Sequence, residues 1–310
     1  MSKAAELAYV RVQVPDLDRA EAFFHTFGLL TGHRDADRLY MRGHGTEHHL
    51  IEAVRGDRKI LAIAFEVAGA AALDIAATIP GASAITAIDG PAGGAMVSLV
   101  DPDGNRIELV HGLNRVEALP VPLQHLNSAA DRERRRNAAV RPERRGSRVL
   151  RLGHVVIRTP VVRRSAHWYA STLGLLTSDE VVLEEQDLLM AFLRLDHGEG
   201  YVDHHVFQAL KGPPNQIHHI SFEVLDIDDL HMGHNALADA GYQHVWGIGR
   251  HLQGSQIFDY WLDPFGTMYE HWTDTDMFNA DAPMEHWSVE QLDSPWGPPM
   301  PEAFLHQGTE

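Results

Sequence analysis

Apolar and polar positions along the chain fall into the same order of periods twice. From Ala8 to Val14 they alternate as in a half-buried strand, Pro15-Asp16 opens a helix, and Phe23, Phe24 and Phe27 recur on one helical face before Gly28 ends it. The later half repeats this with a strand from His154 to Thr159, Pro160, the helical aromatics Trp168 and Tyr169, and Gly174. Leu29-Leu30-Thr31 returns as Leu175-Leu176-Thr177. A second strand and helix follow in each half. Ile63-Ala64-Phe65-Glu66-Val67 leads into an alanine-rich helix, and Ile220-Ser221-Phe222-Glu223-Val224 leads into a helix near Asp228 to Ala240 that Gly241 closes. Each half then ends in an Asp-Pro turn and a strand, Asp101-Pro-Asp-Gly104 to Glu108 and Asp263-Pro-Phe-Gly266 to Glu270. The pattern predicts an α+β chain of two domains, each a pair of strand-helix-strands modules.

Aligning the halves puts His154, His219 and Glu270 at matched places, with Tyr9, Ala62 and Glu108 opposite them. A duplicated domain that has kept a metal in its second copy alone accounts for this. Glu108 shows that a carboxylate at the end of the last strand is not by itself a sign of metal. Of the neighbours His218 and His219, strand alternation lets only one face inward, and the repeat selects His219.

Composition narrows the classes. With 310 residues, 44% hydrophobic and 22% charged, the chain has the make-up of an ordinary soluble protein with room for two cores. No apolar run reaches the ~18 residues of a membrane span, and Met-Ser-Lys-Ala-Ala-Glu lacks the build of an export signal, so a cytoplasmic location is expected. There is no cysteine, so any metal is held by nitrogen and oxygen. A net charge of −17 argues against nucleic-acid binding. The one basic run, Arg132 through Arg151, falls between the repeats and reads as a solvated linker or subunit contact rather than an RNA strip. Beyond Glu270, a stretch with Trp287, Trp296 and several prolines reads as an irregular tail strapped across the second domain as a lid, since tryptophans favour burial. The expected divisions are 1–115, a linker over 116–148, a metal-bearing domain over 149–275 and the tail over 276–310.

On these residues the chain resembles the vicinal oxygen chelate superfamily, and within it the two-domain extradiol ring-cleavage dioxygenases, over nearly its whole length. The resemblance implies βαβββ modules paired into open barrels, the glyoxalase/bleomycin resistance/dioxygenase-like fold, with iron in the second barrel. Two imidazoles and a carboxylate on one face of Fe(II) leave neighbouring positions for oxygen and substrate. The implied ligands are His154, His219 and Glu270, and Mn(II) would accept the same set. The family pattern also implies proton transfer by His204, with His205 the alternative, although His48-His49 occupy the same place in the first half. It further implies hydrogen bonding to oxygen or substrate by His251, after Gly249-Arg250, and by Tyr260. The implied reaction is meta cleavage of a catechol with O2 by a homo-oligomer, tetrameric or larger. A non-oxidative metal isomerase or epimerase, or a binding protein for a small aromatic, are the competing readings. Trp246 and Phe192 are read as core residues before pocket residues.

Overall fold

The structure is a computed structural model that describes residues 3–122, 126–141, 143–183, 187–292 and 294–310. The first half contains β1 (Ala4–Val14), α1 (Leu17–Phe27), β2 (Leu30–Arg34), β3 (Arg38–Arg42) and β4 (Ile51–Arg55), then β5 (Lys59–Val67), α2 (Ala70–Ala76), β6 (Thr86–Ala87), β7 (Ala95–Val100) and β8 (Arg106–His111). The second half repeats the order with β9 (Val149–Thr159), α3 (Val162–Leu173), β10 (Leu176–Val182), β11 (Leu188–Arg194), the short β12 (Val202–Asp203) and β13 (Phe207–Lys211). There follow β14 (Gln216–Val224), α4 (Ile227–Asp239), β15 (Gln243–Arg250), β16 (Ile257–Leu262) and β17 (Met268–Thr273). Each half is thus two βαβββ modules, as the repeat predicted.

The first half forms one sheet in the order β2-β3-β4-β1-β5-β8-β7-β6. The second forms β15-β16-β17-β14-β9-β13-β11-β10, with a further strand from the tail, β19 (Glu285–Ser288), beside β10. In both, the opening strands of the two modules pair antiparallel at the centre, and each is flanked by a parallel neighbour. Local chemistry sets the helix ends. The Asp16 carboxylate accepts from the backbone N–H of Asp18 (2.9 Å) and Arg19 (3.1 Å) at the start of α1. Gly28 ends α1 at φ 108°, and a Cβ there would sit 2.4 Å from the Ser147 carbonyl oxygen, so both torsion and space call for glycine.

The halves share one apolar core. Phe23, Phe24 and Phe27 are fully buried, with rings within 6 Å of Tyr269 on β17. Each Asp-Pro turn docks on the opposite half: Tyr169 of α3 donates its hydroxyl to Asp101 at 2.9 Å, and Arg58 donates to the Gly266 carbonyl at 3.1 Å. The basic run is largely exposed, with Arg145 tied to the buried Asp229 and Arg144 paired at the surface with Asp239.

The tail departs from its expectation of irregularity. A proline-free stretch, β19 (Glu285–Ser288), pairs parallel with β10, and β18 (Met277–Phe278) pairs with β12. It runs along the second sheet and Phe304 is buried against it, whereas Trp296 stays 42% exposed, against the burial expected of it. No helix among the described residues is long and apolar enough to cross a membrane.

Candidate metal centre

Strand register assembles the centre. Ser221 on β14 stands opposite His154 on β9 and also opposite Glu270 on β17, and Glu270 stands opposite Tyr260 on β16, which stands opposite Trp246 on β15. One row across five strands therefore reads His154, Ser221, Glu270, Tyr260, Trp246. His219 lies two residues from Ser221 on the same face, where His154 Nε2 and His219 Nε2 approach to 3.3 Å. Glu270 Oε2 lies 2.9 Å from His154 Nε2 and 3.3 Å from His219 Nε2. All three side chains are buried, and their ligand atoms lie within 4.8 Å of one another.

The carboxylate tests whether a cation fits here. Glu270 is fully buried, and although imidazole nitrogens stand close to Oε2, neither carboxylate oxygen makes a hydrogen bond of good geometry among the described residues. Donor atoms crowded together without well-aligned hydrogen bonds between them are what a shared cation would draw into order. Burial by itself raises the Glu270 pKa, but the adjoining His154 and His219 hold it well below the usual carboxylate range. Burial likewise holds His219 below its ordinary value. Deprotonated oxygen and neutral nitrogen are the states in which these groups bind metal.

The first half makes the contrast. Glu108 occupies the Glu270 position, yet Tyr9 donates its hydroxyl to Oε2 (2.9 Å), and Arg11 and Arg106 each donate to Oε1 (2.9 Å). A phenol and two guanidinium groups, donors that bind no metal cation, surround Glu108 where two imidazoles surround Glu270.

A cavity of about 600 Å³, counting its open mouth, reaches the triad. Beside His154, His219 and Tyr260 it is lined by His205, His251 and Gln208, and its outer wall is apolar, with Met190, Phe192, Leu210, Leu292 and Phe304. Trp246 and Phe192 line it as well as packing in the core. His251 Nε2 lies 2.8 Å from the Tyr260 hydroxyl. Burial pushes the His251 pKa down to about 4 and the Tyr260 pKa well up, so the hydroxyl donates to a neutral ring. His218 also borders the cavity, but its Nε2 turns to the Phe304 carbonyl at 2.7 Å, while His219 reaches the triad.

His204, the expected proton-transfer residue, does not line the cavity, and His205, the alternative, does. His204 Nε2 lies 2.9 Å from Asp179 Oδ2, on the far side of the strand from the cavity, and His205 instead faces in, its ring 4.2 Å from that of His154. Gln208 and Leu210 of β13 face the cavity, so unbroken alternation would bring His204 in with them. The chain bends at 204–206, Val206 turns into the core, and the phase flips. The two rings remain linked, Nδ1 to Nδ1 at 3.0 Å. Sequence reasoning missed Asp179, whose link to His204 joins strands distant in sequence, and missed Gln208 and the tail residues Leu292 and Phe304. Of these, Gln208 alone had a signal, its alternation with Phe207 and Ala209.

A paired-module fold that gathers two imidazoles and a buried carboxylate at the end of a cavity defines a candidate metal-binding protein. Comparisons with known proteins agree. Residues 151–270 match the model of the Glyoxalase/Bleomycin resistance protein/Dioxygenase superfamily. Over 299 residues the chain is 31% identical to metapyrocatechase 2 of Cupriavidus necator, covering 95% of this chain and 89% of that one. Among solved structures it is similar to homoprotocatechuate 2,3-dioxygenase of Brevibacterium fuscum in an anaerobic complex with 3,4-dihydroxyphenylacetate, at TM-score 0.80 and 22% identity over 99% of this chain and 93% of that one. It is also similar to a Mn(II)-bound glyoxalase of Novosphingobium aromaticivorans, at TM-score 0.79 and 23% identity over 97% and 95%. The chain belongs to the extradiol catechol dioxygenase family of the vicinal oxygen chelate superfamily.

Proposed function

We propose that this protein opens the ring of a catechol beside its diol, using O2 and Fe(II) held by His154, His219 and Glu270, and releases a hydroxymuconic semialdehyde-type product. Mn(II) suits the same donors. The observation that carries the reading is the buried Glu270 carboxylate gathered with two imidazole nitrogens at the cavity. When bound, the metal supplies a Lewis acid that lowers the pKa of the coordinated diol and a centre at which O2 and substrate meet.

The chain's own residues manage protons and position. His204 donates its Nε2–H to Asp179, which leaves its Nδ1 as an acceptor for the Nδ1–H of His205. His205 then keeps an unprotonated Nε2. Burial, then the neighbouring His154 and His204, hold its pKa well below the ordinary value. We assign His205 to take the proton of a diol hydroxyl and to return it as the ring opens. Tyr260 and His251, linked at 2.8 Å, hold substrate and oxygen by hydrogen bonds.

Lining chemistry narrows the substrate. The described lining residues include no lysine or arginine, and the outer wall is Met190, Phe192, Leu210, Leu292, Phe304 and Leu305. A catechol with an alkyl or unsubstituted ring fits such a wall, and one with a free carboxylate does not, because its charge would be desolvated without a partner. The test is O2 uptake by iron-loaded protein on a panel of catechols. Uptake with yellow ring-fission product on alkylcatechols supports the proposal, and bound metal with no uptake on any catechol overturns it.

A further inference from the structure

A second gathering of nitrogen and oxygen donors lies on the opposite face of the same sheet. Tyr260 faces the cavity, so its neighbours Asp259 and Trp261 face the helix layer, where α4 brings His234 and β15 brings His244. His234 Nδ1 lies 3.1 Å from both Asp259 oxygens, and His244 Nε2 lies 2.9 Å from Oδ1. Trp261 donates its indole N–H to Oδ2 at 2.6 Å. The three ligand atoms lie within 4.8 Å of one another. Asp259 is fully buried, while His234 and His244 keep 28% and 33% of their side chains exposed, so the group is anchored below and open above.

The first half shows that the fold has no need of this arrangement. There the residue before the Glu108-facing Ser98 is Val97, fully buried in the apolar core with Leu99. The second half has replaced an apolar contact between helix and sheet by a buried carboxylate, two imidazoles and an indole donor.

We infer that His234, His244 and Asp259 form a second metal site, for a divalent transition ion of the zinc or nickel class. Imidazole favours such ions over magnesium or calcium. In tetrahedral zinc sites metal–ligand bonds of 2.0–2.2 Å put ligand atoms about 3.3–3.6 Å apart, so the 2.9–3.1 Å contacts between these histidines and Asp259 need to open by only a few tenths of an ångström to admit an ion. Water completes the coordination from the open side, and the Trp261 N–H orients the carboxylate as outer-shell donors commonly do. The site is independent of the ring-cleavage reading, since it shares no residue with the His154 centre.

The test is an anaerobic calorimetric titration of the iron-loaded enzyme with ZnCl2, with iron content measured before and after, on the wild type, His234→Gln and His244→Gln. Glutamine keeps an N–H donor for Asp259 but removes the imidazole, so folding is preserved. Circular dichroism and iron content verify this. The expected result is a zinc equivalent bound without loss of iron, weakened about tenfold or more in either variant. Wild-type and variant isotherms that coincide, or zinc uptake matched by released iron, would overturn the site. In that case the histidines act only as hydrogen-bond donors to Asp259.

Discussion

Replacing His205 and His204 in turn by phenylalanine separates the residue that moves the proton from the residue that orients it. Phenylalanine approximates the imidazole in size, so neither change opens a large cavity, and neither removes a proposed metal ligand. His205 borders the cavity beside His154, and a positioned acid–base group contributes roughly 10²–10⁴ in rate, or about 3–5 kcal/mol in the barrier. His205→Phe should therefore keep iron and bind catechol while kcat falls by about that factor. His204 reaches the chemistry through one 3.0 Å link to His205. A hydrogen bond is worth about 1 kcal/mol net, so His204→Phe should lower kcat only about fivefold. Its larger effect should fall on stability, by about 1–3 kcal/mol, because the buried Asp179 loses its partner. Stopped-flow absorbance of the yellow product under single turnover, on protein of measured iron content, reads the chemical step directly. A His204→Phe loss greater than hundredfold alongside a mild His205→Phe effect would refute the assignment.

The two matched carboxylates should separate packing from metal binding. Glu108→Gln weakens hydrogen bonds from Arg11 and Arg106 and should cost about 1.5–3 kcal/mol in urea unfolding with iron binding intact; Glu270→Gln removes a proposed ligand and should lose most iron retention, and full iron in Glu270→Gln or lost iron in Glu108→Gln would contradict the contrast. His49 gives a pH signature in the first half: burial pushes its pKa down to about 3, so between the unfolded value near 6.5 and the folded value the unfolded chain binds the extra proton. Its contribution is whole above pH 6.5 and is lost as pH falls, by up to about 2–3 kcal/mol at pH 4.5, and urea titrations should show His49→Leu flattening this slope. On substrates, kcat/KM for 3-methylcatechol should exceed that for 3,4-dihydroxyphenylacetate by at least about tenfold, the smallest cost expected for an unpaired carboxylate against an apolar wall. Comparable values would place a cation in the pocket.

Much of the architecture was legible because the repeat is written in strong local signals. Asp16 and Gly28 bound the first helix, the aromatic face of α1 is spaced for burial, and the Asp-Pro turns recur. Comparing the halves isolated His154, His219 and Glu270, since an imidazole at one copy against tyrosine or alanine at the other is a difference that packing alone does not ask for. Phase at the bend before β13 was not legible: whether His204 or His205 faces inward depends on Phe207 pairing with Val155 and on a kink over 204–206, both settled by tertiary contacts. The tail's part in the cavity was hidden similarly, because Phe304 and Leu292 carry no period that ties them to a strand. The His234-His244-Asp259 group escaped notice because its members come from three separate elements, and nothing in the spacing marks them.

Iron content per chain after anaerobic reconstitution and desalting, compared between the wild type, His154→Ala and His219→Ala, tests the central claim most directly. One tightly held iron in the wild type and almost none in either variant is the predicted result. Full iron retention in either alanine variant would contradict it.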